Sequence, residues 1–245
     1  MKEVLKGIHL LSLGGVNAYL VDHGKITLID TGYAGNGDKI IDYLHRIGKK
    51  EDDLENIIVT HLHTDHTGSL AELQERTRAK VFAHINDAPL IEQGISFRDN
   101  LEISPGFFNK LIFRLFVKNA PRTITPVKID EVIEDGQKHL PIGKGFRIIP
   151  VPGHSSGQIA LLYQDQGGIL FAADTTGNMA GLGIAPFYEN YYLGQRDIAS
   201  LSKLQFNAIL FGHGKPILKN ASMKFRKKFR KMIQAFSPEL VSNTL

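Results

Sequence analysis

His61, His63, Asp65 and His66 fall within the run "HLHTDH" of the segment "NIIVTHLHTDHTG". Imidazole nitrogen and carboxylate oxygen are donors that divalent metals of borderline softness prefer. Four such donors follow a short apolar strand pattern and precede a helical one. Strand ends of this kind are where α/β proteins place their sites. The run therefore points to a metal centre rather than to a polar surface loop. Alternation along an extended segment predicts His61, His63 and Asp65 on one side. The turn into the helix then brings His66 beside Asp65. Such a run offers His61 and His63 to one ion and Asp65 and His66 to a second.

A different stretch raises a competing chemistry. "PGHSSG" (152–157) contains G-x-S-x-G, the elbow that presents a nucleophilic serine, here Ser155. That elbow requires a strand, a sharp turn and then a helix, whereas the following "QIALLY" reads as a strand. A triad of Ser155, Asp174 and His213 also leaves the donors at 61–66 without a role. The hydroxyl of Ser155 or Ser156 is expected to make a turn hydrogen bond near His154 instead. His9, His23, His45, His84 and His139 lack ligand-type neighbours at useful spacing and read as surface or capped core residues. Tyr188, Tyr191 and Tyr192, in "FYENYY", either pack or line a pocket where one hydroxyl donates to a developing oxyanion.

The elements that must carry these groups follow from periodicity. The N-terminus reads as a strand pair. "NAYLVDHGKITLIDTG" alternates on both sides of Asp22-His23-Gly24, predicting a hairpin. Ile40, Ile41, Leu44 and Ile47 share a helix face that Gly48 ends. "NIIVT" (56–60) and "KVFAH" (80–84) are strands enclosing a helix over Thr67–Thr77. Residues 95–122 break the rhythm with Phe107, Phe108, Phe113 and Phe116, either as a core helix or as an inserted flap. Strands are predicted again at Thr123–Val127, Phe146–Val151, Gln158–Tyr163, Ile169–Ala172 and 208–211. Helices are predicted near Asp197–Leu204 and over about 221–235. The strand–helix alternation gives an α/β (α+β) chain, read as a single domain over 1–245.

With these elements in view, "HLHTDH" resembles the H-x-H-x-D-H signature of the metallo-β-lactamase superfamily of binuclear metal-dependent hydrolases. The later stations of that family are met in order by His154 in "VPGHSSG", Asp174 in "ILFAADTTG" and His213 in "ILFGHG", with Asp30 of "LIDTG" supporting the site from behind. The resemblance spans roughly residues 15–215. It implies a four-layer αββα sandwich with the site at the edge between the sheets. It further implies two divalent ions, one on His61, His63 and His154, the other on Asp65, His66 and His213, with Asp174 bridging. Asp65 and Asp174 are then the catalytic carboxylates, Asp65 as the candidate proton relay, and a hydroxide between the ions is the nucleophile. Zinc suits these ligands; the nitrogen-and-oxygen set also admits iron or manganese.

Composition narrows the rest. The chain has 245 residues, is 42% hydrophobic and contains no cysteine, so disulfides and thiolate ligands are excluded. Without an uncharged apolar run of spanning length, stable membrane insertion is disfavoured and the expected location is cytoplasmic. The net charge of +4 conceals segregation, because residues 198–238 hold nine Lys/Arg and no acid. A solvated helix face explains this more simply than nucleic acid, and no glycine loop supports a nucleotide. A non-catalytic metal or nucleic-acid binder is disfavoured too, since structural zinc is usually closed by four ligands that commonly include cysteine.

Family patterns also narrow the reaction. The bridging aspartate argues against a β-lactam substrate, and positions 175–178 lack the tyrosine of acyl-homoserine lactonases. Glyoxalase II relatives continue further past the last histidine than this chain does, and flavodiiron proteins carry glutamate at the position of His63. The aromatic insertion and tyrosines favour a small-molecule lactone, ester or thioester with an apolar part. A phosphodiester is the alternative. The sequence leaves the oligomeric state open.

Overall fold

Alternating apolar residues near the N-terminus fold as β1 (Lys2–Leu5), β2 (Ile8–Ser12), β3 (Asn17–His23) and β4 (Lys25–Ile29), paired antiparallel in chain order. The structure, a computed structural model, describes residues 1–23, 25–134, 136–140 and 145–236. Gly24 of the expected hairpin turn and residues 237–245 lie outside the described residues, as do the last positions of the basic stretch 198–238. By contacts the chain forms two compact units, one of Met1–Arg98 and Ala120–Lys144, the other of Asp99–Asn119 and Gly145–Leu245.

In the first unit, β5 (Leu54–Ile58), β6 (Lys80–His84) and β8 (Glu131–Ile133) extend the sheet in parallel from β4, giving the order β1-β2-β3-β4-β5-β6-β8. Parallel neighbours need crossovers, and α1 (Gly37–Arg46) supplies the first. Its Ile40, Ile41 and Leu44 are buried as the spacing predicts, and Gly48 follows in the left-handed region at φ 77°. The second crossover is α2 (Thr64–Thr67) and α3 (Leu70–Thr77), whose Leu70 and Leu73 join the core with Leu28, Ile57 and Val81. The short helix α4 (Ala88–Glu92) follows β6. The strand expected at Thr123–Val127 does not form. Thr123 makes an isolated bridge, to Ile95, and Ile124 donates to the Gly94 carbonyl at 2.9 Å, but Pro126 has no amide hydrogen to continue a ladder.

In the second unit, β9 (Phe146–Pro150), β10 (Ile159–Tyr163) and β11 (Ile169–Phe171) are antiparallel, and β15 (Ala208–Leu210) joins β11 in parallel. Two short pairs accompany them: β7 (Glu102–Ile103) with β14 (Phe187–Tyr188), and β12 (Thr176–Gly177) with β13 (Gly183–Ile184). Helix α6 (Tyr191–Leu201) starts earlier than the apolar pattern indicates, because the Asn190 side chain accepts the Leu193 N–H at 2.9 Å and caps it. The expected terminal helix is two, α7 (Ala221–Lys228) and α8 (Arg230–Phe236), broken at Phe229. Phe225, Phe229 and Ile233 still face one core with Leu170, Ile198 and Phe211. The aromatic segment is the helix α5 (Phe107–Ile112), continued by wider π turns over Phe113–Val117. It is not a core helix: Val117 is buried, while Phe107, Phe108 and Phe116 are exposed. Among the described residues no helix is long and apolar enough to cross a membrane.

Candidate metal centre

The first unit gathers its ligand-type residues on the loop after β5, which carries His61 and His63, and on α2, which carries Asp65 and His66. The His61 and His63 rings lie 4.6 Å apart edge to face, and the His61 and His66 rings 4.1 Å apart. Ligand atoms of His61 and His63, of His61 and His66, and of Asp65 and His66 approach within 4.8 Å. Asp65 does not continue the alternation of His61 and His63. It stands in α2, which begins right after His63, and helical geometry sets its Oδ2 3.8 Å from His66 Nε2.

Asp30, at the end of β4, organises this loop from beneath. Its Oδ1 accepts the Thr60 N–H at 2.8 Å, and its Oδ2 accepts both Thr60 Oγ1–H and His66 Nδ1–H at 2.8 Å. A carboxylate only accepts, so His66 must carry its proton on Nδ1. Thr60 has given its single proton to Asp30, so its contact with His61 Nδ1 at 3.1 Å requires His61 to donate as well. A neutral imidazole held this way directs the Nε2 lone pair outward, the arrangement that metal-binding histidines use. The Nε2 atoms of His61, His63 and His66 are all buried. Asp30 itself adopts φ 60°, a conformation rare for a side-chain-bearing residue and concentrated at functional sites.

Three contacts hold the loop from other sides. The Thr31 N–H and hydroxyl both donate to the His66 carbonyl, at 2.8 and 2.9 Å. Asp87, just ahead of α4, accepts the Leu62 N–H at 3.0 Å and pairs with Arg98 at 2.9 Å. The His63 ring stacks on Phe97 at 4.2 Å, and the Arg122 guanidinium lies 4.7 Å from the same Phe97 ring. Sequence reasoning missed Asp87, since an aspartate before "APL" signals a helix start and not an anchor for a loop more than twenty residues upstream.

The second unit gathers His154, Asp174 and His213. Asp174 Oδ2 lies 3.6 Å from His154 Nε2 and 3.1 Å from His213 Nε2. The His154 Nδ1–H donates to the Phe187 carbonyl at 2.9 Å, which again leaves Nε2 as the lone-pair nitrogen. Asp174 follows Ala173, which is held at φ 47° beside the end of β11. Its N–H contacts Gln158 Oε1 at 3.3 Å. Gly214, at φ 91°, lets the chain turn beside Asn178, where a Cβ would meet backbone at 2.1 Å.

The "PGHSSG" loop is bound to α6 and to the strand before it. Gly153 meets Gly194 so closely that a Cβ would stand 2.2 Å from the Gly194 nitrogen. Ser156 donates from both N and Oγ to Glu189 Oε2, at 2.8 and 2.6 Å, which is a long-range anchor across 33 residues rather than the local turn hydrogen bond expected of this serine pair. Strand β10 follows the loop, so the strand–turn–helix of a serine elbow is not formed. Glu189 is buried, a second anchor that no spacing announced. Tyr188 is also fully buried. Its hydroxyl donates to the Thr175 carbonyl at 2.8 Å and accepts the Ala185 N–H at 3.0 Å, while burial raises its pKa. It is a strut within the unit, not an oxyanion donor. Tyr192 is exposed and packs its ring 5.1 Å from Phe236.

The Gly153 N–H donates to Asp197 Oδ2 at 2.7 Å. Burial pushes the Asp197 carboxyl up to about 7, opposed by that N–H and by Arg196. The native state thus holds this proton more tightly than the unfolded chain, where an aspartate titrates near 3.9. The stability due to the protonated form is complete below about pH 4 and is lost as pH rises to about 7. Asp197→Asn keeps an acceptor for Gly153 without the titration. The variant is expected to gain on the parent between pH 5 and 8, by on the order of a few kcal/mol at most. Paired denaturant melts across that range measure it; a difference that stays flat with pH would count against a raised carboxyl.

With the two clusters described, relatives give the class. The sequence profile of the metallo-beta-lactamase superfamily matches residues 11–213, and the chain belongs to that superfamily. The probable metallo-hydrolase YqjP of Bacillus subtilis (strain 168) is 26% identical over 238 residues, covering 84% of this chain and 69% of the relative. A hydroxyacylglutathione hydrolase of Halorhodospira halophila is 28% identical over 161 residues, or 65% of this chain and 42% of that one. The metallo-β-lactamase MIM-1 of Novosphingobium pentaromativorans superposes with a TM-score of 0.68 at 20% identity, over 98% of this chain and 90% of that one. The fold is the mixed α/β metallo-β-lactamase fold, and the protein is a metallo-hydrolase of that superfamily.

Proposed function

We propose that His61, His63 and His154 hold one divalent ion, that Asp65, His66 and His213 hold a second, and that Asp174 is shared between them. Zinc is the favoured metal, with iron or manganese compatible with the same donors. The observation that carries this reading is the committed Nδ1–H of His61, His66 and His154, each held by an acceptor that leaves Nε2 for a metal. Bound metals supply Lewis acidity, activating water at neutral pH and polarising the bond to be cut. The chain's own part is orientation: Asp30 and Thr60 hold two rings and the Phe187 carbonyl a third, and we assign Asp65 the role of taking or relaying a proton.

The substrate we favour is a carboxylic ester bond, as lactone, ester or thioester, in a small molecule with an apolar part, cleaved by a cytoplasmic enzyme. The likeness to a hydroxyacylglutathione hydrolase supports the thioester arm. The metal-loaded protein should be offered a thioester, a lactone, a β-lactam and a phosphodiester. Cleavage of the thioester or lactone is expected, with about two equivalents of metal per chain, and loss of turnover on chelation. Activity that survives chelation, or that a serine-directed reagent removes, would sink the reading; cleavage of the phosphodiester alone would replace the substrate class.

A further inference from the structure

The helical segment over 107–117 presents more apolar surface to solvent than a helix of the second unit needs. Phe107 is 83% exposed, Phe108 54%, Leu115 62% and Phe116 70%. Its inner side is accounted for, since Val117 is buried and the Phe113 ring packs 5.9 Å from Phe187, edge to face. Phe107, Leu111 and Leu115 recur at four-residue steps, with Phe108 beside them, so the exposed apolar groups form a stripe rather than a scatter. A contiguous stripe of this kind marks an interaction surface.

Charge decides what covers it. Residues 103–119 contain Lys110, Arg114 and Lys118 and no acidic residue, and all three cations are exposed. The same unit carries nine more Lys/Arg over 198–236, again without an acid. Exposed phenylalanine and leucine interleaved with cations is the composition of a helix that lies in a membrane interface, apolar side among the acyl chains and cations at anionic headgroups. A second copy seated on this stripe would set like charges against one another across a two-fold axis. A nucleic acid would meet the cations but leave the phenylalanines in water.

We infer that the 107–117 helix docks the protein reversibly on an anionic lipid surface. The docking does not span the bilayer, and it is independent of the hydrolytic assignment, since none of these residues belongs to the metal clusters. β7, just upstream, pairs with β14, whose Phe187 carbonyl holds His154. Within this unit the lipid-facing helix and a candidate ligand are therefore tied to the same strand pair.

The full-length protein should be floated with vesicles of phosphatidylcholine alone and of phosphatidylcholine mixed with phosphatidylglycerol, at low and high salt. Binding to the anionic vesicles, weakened by salt, is expected. F107S/F108S and K110E/R114E/K118E should each lower the bound fraction by about tenfold or more, with circular dichroism unchanged. Failure to float, equal binding to neutral vesicles, or variants that bind like the parent would each overturn the proposal. Light scattering supplies the remaining check: a parent dimer that F107S/F108S dissociates would make this stripe an interface between copies and overturn it too.

Discussion

Asp174→Ala is expected to lower kcat/KM by about a thousandfold or more on whichever substrate the parent cleaves, a loss of about 4 kcal/mol in transition-state stabilisation. The carboxylate stands near two imidazole nitrogens of its unit, at 3.6 Å from His154 and 3.1 Å from His213. On the proposed assignment alanine removes the ligand shared by the two ions and the carboxylate that His154 and His213 both approach. Metal content should fall below about two equivalents together with activity, which elemental analysis of the purified variant would show. Because Ala173 already holds the strained φ of 47°, alanine at 174 asks nothing new of the backbone. A variant with full metal content and activity within about tenfold of the parent would remove Asp174 from the site.

Asp30→Asn tests the support beneath the first cluster, and its effect is argued from protons. Asparagine tolerates the left-handed φ of 60°, so the turn survives. The side chain now has one accepting atom and one donating group where three donors converge. If the amide nitrogen replaces Oδ2, it faces His66 Nδ1–H and the Thr60 hydroxyl. His66 must then move its proton to Nε2, and a reversed Thr60 hydroxyl pushes His61 the same way. If the amide is turned over, two donors oppose at the Thr60 N–H. The first arrangement takes the lone pairs from the Nε2 atoms, and the second costs about 1–3 kcal/mol for an unmet buried group. Metal affinity is expected to drop by about 10–100-fold while the fold persists. Competition with a chromophoric chelator measures the affinity, and nitrogen-15 spectra of the imidazoles report the tautomers. Unchanged tautomers with unchanged affinity would show that Asp30 is a bystander.

Much of this site is legible in the linear order of residues. "HLHTDH" announces metal chemistry because its donors are close enough in the chain to reach common space whatever the rest does. Ile40, Ile41 and Leu44 announce a helix because a 3.6-residue period is a local property. Asp30 is recognisable beside its strand only through family resemblance, since its partners Thr60 and His66 lie thirty or more residues away.

Other features belong to the tertiary structure alone. Asp87 on Leu62 and Glu189 on Ser156 are contacts across sequence gaps that carry no periodic signal. The role of Tyr188 was likewise hidden: its aromatic neighbours hint at a pocket, while the folded unit spends its hydroxyl on Thr175 and Ala185. The failure of Thr123–Val127 to become a strand and the exposure of Phe107 reflect what neighbouring segments offered as partners. Residue type and short-range spacing set which atoms can ligate a metal or turn a helix. Which backbone amide meets which carboxylate, and so which imidazole nitrogen keeps its lone pair, depends on segments distant in sequence being packed together. Hydrogen bonds act over about 3 Å and are blind to chain separation, so only the folded chain decides them.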